Sequence, residues 1–128
     1  MDALRRIHAA LVPGGVVVDT QPVSPRPPVE SEGDRLGTLD MREWLETINA
    51  VDARVGEAAA DGLFAVVDEQ HFIVTDTYDA GEEFVETVSG WQGTRISRAL
   101  AARATAAVPP IDLRQVVHLR VLRALPSR

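Results

Sequence analysis

The chain contains no cysteine and no lysine. Without cysteine there are no disulfides, no thiolate metal ligands and no Cys nucleophile. Without lysine, Schiff-base catalysis and the P-loop phosphate clamp are excluded, and all 13 basic residues are arginine. Aromatic residues are scarce, at 5%. No apolar run approaches the roughly 20 residues of a membrane span. The N-terminal segment has no small-residue cleavage site that would mark a signal peptide. A cytoplasmic protein is expected, with no membrane partner.

What is present is ordinary for a globular chain: 128 residues, 45% hydrophobic and 25% charged. That length suits one domain spanning 1–128. The net charge of −6 is unevenly distributed. Residues 30–86 hold 16 acids and 3 arginines, whereas residues 87–128 hold 7 arginines and Asp112 alone. Solvated helix faces and local ion pairs account for such a layout, although it also suits head-to-tail self-association. The basic part is short, alternates with apolar residues and lacks a recognisable module, so nucleic acid is not an expected partner.

Along the chain, Leu4, Ile7, His8 and Leu11 mark an amphipathic helix over about 2–11, which Pro13 and the Gly14-Gly15 pair end. Gly15 to about Thr20 is an apolar run of buried-strand type, with Asp19 where it emerges. Residues 22–37 contain Pro22, Pro25, Pro27 and Pro28, then Gly33 and Gly37, and are expected to form a rigid connector. Asp40 and Glu43 form a capping pattern. Met41, Trp44, Leu45, Ile48, Val51 and Val55 follow at helical spacing, and Gly62 stands at the C-terminal cap. That stripe, Trp44 included, is expected to be core.

Leu63–Tyr78 reads as a hairpin or one bent strand. Phe72, Val74, Asp76 and Tyr78 lie on one face, and His71, Ile73, Thr75 and Thr77 on the other. Helices at about 81–90 and 96–108 follow, and Pro109-Pro110 stops the second. A last strand over about 113–125 is expected to turn Leu113, Val117, Leu119 and Val121 inward, with Arg114, His118 and Arg120 opposite. Together these elements predict an α/β fold with a small mixed sheet of three to four strands and flanking helices.

The segment Ala3-Leu4-Arg5-Arg6-Ile7-His8-Ala9-Ala10-Leu11-Val12-Pro13-Gly14-Gly15-Val16-Val17-Val18 resembles the entry to the fifth strand of a class I S-adenosylmethionine-dependent methyltransferase. The order of elements resembles the C-terminal half of that Rossmann-like fold. The resemblance implies that Phe72–Tyr78 and Val116–Leu122 form the final antiparallel pair, and that the Val16–Val18 strand pairs with the last strand. The cofactor-binding half, with its Gly-rich loop after the first strand, has no counterpart here, so no cofactor site is carried over and no cofactor is expected. Without a fourth strand, Val16–Val18 would be an open apolar edge, and a homodimer covering it or its flanking helices is expected.

Few residues carry catalytic chemistry. His8, His71 and His118 lack HxH or HExxH spacing, so no metal is expected. Ser24, Ser31, Ser89 and Ser97 lack the nucleophile-elbow context. Glu82, Glu83 and Glu86 suit a helix dipole. Trp91, between Gly90 and Gly93, either packs over the core or walls a pocket, and packing is preferred. The candidate pocket residues are Asp19, Gln21, His71, Asp76, Tyr78 and Trp91. The leading expectation is a non-catalytic, dimeric binding or assembly module. The alternatives are a methyltransferase component completed by a separate cofactor-binding polypeptide, a small ligand-binding protein or enzyme with a pocket at the dimer seam, and a chain whose true start lies upstream.

Overall fold

The computed structural model describes residues 3–126. The elements are α1 (Ala3–Ala10), β1 (Val16–Pro22), β2 (Pro28–Ser31), β3 (Asp34–Thr38), α2 (Arg42–Ala60), β4 (Phe64–Tyr78), α3 (Gly81–Ser89), α4 (Arg98–Ala106) and β5 (Ile111–Ala124). The sheet has five strands in the order β1-β5-β2-β3, with β4 also paired to β5. Its pairing is antiparallel, so the expected mixed sheet of three to four strands is corrected in both respects.

The extra strands come from residues 22–37, expected to be a connector. Pro28 opens β2, and Val29 and Glu30 face Leu113 and Asp112 of β5. Ser31 then pairs with Asp34 of β3. The two residues between them, Glu32 (φ 52°) and Gly33 (φ 81°), both have positive φ, as a type I′ hairpin turn requires. Proline at the first position of a strand forfeits no essential ladder donor, so the proline count was a poor guide here. Of the two readings of Leu63–Tyr78, the single strand holds, because β4 runs unbroken from Phe64 to Tyr78.

Two compact units divide the chain, neither continuous in sequence: Met1–Gln21, Ile48–Phe72 and His118–Arg128 form the first, and Pro22–Thr47 and Ile73–Val117 the second. In the first, Val55 and Ala58 of α2 pack with Phe64, Leu122 and Ala124, and Leu4, Leu11 and Val17 lie against this cluster. The Pro13-Gly14-Gly15 turn joins β1 to β5: the Gly14 N–H donates to the Ala124 carbonyl and the Ala124 N–H to the Gly15 carbonyl. α2 ends where Gly62 takes φ 75°. The Leu63 N–H then bonds the Ala58 carbonyl and the Gly62 N–H the Ala59 carbonyl, the paired closure expected of a glycine cap.

In the second unit, Val29, Leu39, Met41, Phe84, Val88, Leu100, Ala104, Ile111 and Leu113 form the core. The start of α2 differs from the expected reciprocal cap. Asp40 lies just outside the helix and accepts bonds from the Arg42 N–H and Nε, while Glu43 faces Arg95 at 3.7 Å. α4 begins two residues later than expected, because the Ser97 hydroxyl caps it by accepting the Leu100 N–H at 3.1 Å. α3 and α4 approach closely at Gly81, where an added Cβ would collide with the Ala104 carbonyl.

β5 changes its buried phase along its length. Ile111, Leu113 and Gln115 are buried in the second unit, whereas His118, Arg120, Leu122 and Ala124 are buried in the first. The expected inward set Val117, Leu119 and Val121 is therefore corrected. Those three are only partly buried, and the sides of His118 and Arg120 are exchanged with theirs.

Gly81→Ala is expected to lose about 1–3 kcal/mol by overpacking. In contrast, Gly56→Ala, in the interior of α2 with open space at the Cβ position, should gain about 0.5–1 kcal/mol. Urea denaturation of both variants measures the difference.

Candidate functional site

The second unit contains a cavity of about 420 Å³ lined by Pro22, Met41, Trp44, Asp76, Gly90, Trp91, Gln92, Thr94 and Gln115. Its walls follow from local structure. Trp44 lies in the first turn of α2, and its indole Nε1–H donates to the Pro22 carbonyl at 3.2 Å. The loop after α3 carries Trp91 and Thr94 and is tied to the start of α2 by main-chain bonds. Asp40 and Arg95 exchange N–H and carbonyl bonds of 2.9 and 2.8 Å, and the Trp44 N–H reaches the Gly93 carbonyl at 3.2 Å. Gly93 has φ 70°, and a Cβ there would come within 2.8 Å of the Trp44 backbone, so the close approach of loop to helix depends on that glycine.

The wall is mostly apolar, yet two of its oxygens lack partners. Gln115 is only 7% exposed, and neither its Oε1 nor the Thr94 Oγ1 has a hydrogen-bond partner. A buried polar atom left unpaired costs about 1–3 kcal/mol, and native proteins rarely leave one without a water, an ion or a ligand to meet it. Asp76 projects from the partly buried face of β4, and among the described residues no side chain pairs with its carboxylate. Apolar walls with a few unsatisfied polar groups are the usual make-up of a small-molecule site.

Of the expected pocket residues, Asp76 and Trp91 line this cavity. Tyr78 instead packs edge-on against Phe84, with centroids 5.3 Å apart, partly buried at the side of the core. Asp19, Gln21 and His71 lie in the first unit and serve other contacts. Asp19 Oδ1 accepts the Gln21 amide at 3.0 Å, and its Oδ2 accepts Arg120 Nη2 at 2.8 Å. Arg120 is 5% exposed and also lies 2.9 Å from Asp52 Oδ1, close enough for ion pairing without hydrogen-bond alignment. Two carboxylates thus compensate a buried cation, and this explains how an arginine occupies an inward position. His71 and His118 do share a sheet face: their rings stack at 4.5 Å, and His118 Nε2 lies 2.9 Å from Glu69 Oε1. These are structural contacts around β5.

Trp44, Met41, Thr94 and Gln115 were not among the expected pocket residues. Trp44 was expected in the core, and the structure leaves it half-buried, so it both packs and faces the cavity. Thr94 and Gln115 carried no signal, because an orphaned oxygen is visible only after its surroundings are placed. Among the described residues no group of three or more His, Asp or Glu is placed to hold a metal ion, and no helix is long and apolar enough to cross a membrane. Compared with known proteins, the chain matches no family model, no curated protein and no solved structure.

Two groups in the second unit have displaced titrations. Hydrogen bonds from the Arg42 side chain and N–H hold the Asp40 carboxyl well below the usual carboxylate range, but the Arg42 side chain is 64% exposed and such surface pairs contribute little stability. Burial, reinforced by the charges of Asp76 and Glu83, raises the Tyr78 phenol above its ordinary value of 10.0. The folded state therefore favours the neutral phenol. Its contribution to stability is complete below the unfolded value, near 10, and is lost as pH rises through the folded one. Tyr78 is the only tyrosine, so phenolate absorbance reads it directly. The expected midpoint lies above that of the urea-unfolded chain; a midpoint at or below it would contradict the burial argument.

Proposed function

We propose that this chain is a small-molecule-binding module whose ligand occupies the Trp44–Trp91 cavity. The observation that carries the proposal is the pair of unpartnered oxygens, Thr94 Oγ1 and Gln115 Oε1, in a mostly apolar wall that also holds Asp76. Binding is favoured over catalysis because Asp76 is the only titratable side chain among the lining residues. A lone carboxylate has no second acid or base to share proton transfer, and the Thr94 hydroxyl has no base bonded to it.

The chain's two tryptophans both line the cavity, so intrinsic fluorescence is a direct probe of occupancy. A library of ring-sized fragments of mixed charge is expected to include compounds that change this fluorescence saturably. Gln115→Leu should leave the melting temperature unchanged or higher, because it removes the orphaned oxygen, and should weaken those compounds about tenfold, on the order of one well-made hydrogen bond. No saturable change with any fragment would refute a binding role for the cavity.

Self-association is a second reading, favoured by exposure on β1. Among the described strands it pairs only with β5, and Val16 and Val18 are 51% and 58% exposed. An apolar open edge invites a second copy, so we propose a homodimer through Val16–Val18. Light scattering at micromolar concentration should give twice the chain mass, and Val18→Lys should halve it; a one-chain mass for the unaltered protein would remove the proposal. A methyltransferase-like descent, with or without a separate cofactor-binding polypeptide, is supported by the succession of α1, the Pro13-Gly14-Gly15 turn and β1, and by the antiparallel partnership of β5 with β1 and β4. It remains a proposal about ancestry.

A further inference from the structure

We propose that the ligand of the Trp44–Trp91 cavity is a flat organic cation bearing N–H donors, such as an amidinium, a guanidinium or a protonated nitrogen heterocycle. The proposal rests on the binding role argued above and adds the sign of charge and the hydrogen-bonding polarity of the ligand.

Three features of the wall agree. The first is charge. Asp76 is the only charged side chain lining the cavity, and among the described residues no cation pairs with it. A partly buried carboxylate with no protein counter-charge is complemented by a cation and repels an anion. Its field is felt nearby, since together with Glu83 it opposes ionisation of Tyr78.

The second feature is hydrogen-bonding polarity. The buried Gln115 carbonyl Oε1 has no partner and can only accept, whereas the Nε2 of the same amide can only donate. The Thr94 hydroxyl, also unpartnered, accepts as readily as it donates. The Asp76 carboxylate can only accept and is the one charged group among these, so the ligand needs N–H donors facing it. The Gln92, Gln115 and Trp91 N–H groups remain for weaker polar contacts. An anionic ligand such as a carboxylate or phosphate would face the Asp76 carboxylate directly.

The third feature is the aromatic wall. The Trp44 indole N–H is already committed to the Pro22 carbonyl, so this residue has only its ring to offer. Tryptophan is the strongest of the side chains in attracting cations to the ring face. A cavity of about 420 Å³ accommodates a single ring with a small polar head, at the lower end of the usual range for ligand sites.

Benzamidine, benzamide and benzoate share size and shape but carry charges of about +1, 0 and −1 near neutral pH, and they serve as probes of the full-length protein by tryptophan fluorescence and calorimetry. Benzamidine is expected to bind at least tenfold more tightly than benzamide, and benzoate not at all. Asp76→Asn should reduce the benzamidine preference to near unity while leaving benzamide unchanged. If that variant does not fold, the unaltered protein decides by salt: raising ionic strength should weaken benzamidine and spare benzamide. Benzamide or benzoate binding as well as benzamidine would overturn the charge assignment and leave the binding role standing. The same holds if the Asp76→Asn variant retains the preference, or if only neutral fragments from the library bind. Failure of every compound of every charge would instead remove the binding role itself.

Discussion

Every strand except β3 hydrogen-bonds to β5, and the backbone of this one strand is the constraint on which the remaining structure depends. Its first residues pair with β2 and its last bond to the turn that opens β1, while β4 also pairs with it. A strand so heavily used is paired by other chain segments rather than water, which is how buried backbone groups must be satisfied. Its side chains then have to serve both units. The exchange of buried phase between Gln115 and His118 lets one strand direct Leu113 into one core and Leu122 into the other.

That exchange puts polar residues inside, and the two units treat them differently. In the first unit the buried Arg120 is met by Asp19 and Asp52, and His118 by Glu69 and His71. Arg120 and His118 there have charged or ring partners from the protein itself, although Asp52 Oδ1 is not aligned for a hydrogen bond. In the second unit Gln115 is equally buried, yet its carbonyl is unmet beside a carboxylate and two indoles. Satisfied polar groups make structure and unsatisfied ones await something else. This contrast separates the ion-paired residues of β5 from the candidate ligand site.

The cavity owes its existence to a short clamp. The Asp40–Arg95 main-chain exchange and the Trp44–Gly93 bond hold the loop after α3 against the first turn of α2. Glycine at 93 permits the contact because any Cβ would meet the Trp44 backbone. Trp44 and Trp91 are thereby set on two segments fixed to one another, the pre-organisation that keeps the entropic cost of binding low.

Local patterns in the sequence were sufficient for much of the framework. The 3.6-residue stripe fixed α2, Gly62 its end, and the two prolines at 109 and 110 the end of α4, because these depend on neighbours within a few residues. Asp76 and Trp91 were legible as pocket candidates, one a carboxylate on a half-buried face and the other an aromatic flanked by glycines. The β2–β3 hairpin was hidden because proline content masked a turn whose two residues take positive φ. The inward side of β5 was hidden because Val117 and Leu119 are more apolar than His118 and Arg120, and only the placement of Asp19 and Asp52 makes the charged choice tolerable. By itself the sequence determined the helices, their stops and an acidic chain free of thiol and lysine chemistry. Tertiary structure alone decided which faces are buried and that Thr94 Oγ1 and Gln115 Oε1 stay unpartnered in the cavity wall, since burial and hydrogen-bond satisfaction belong to residues far apart in the chain.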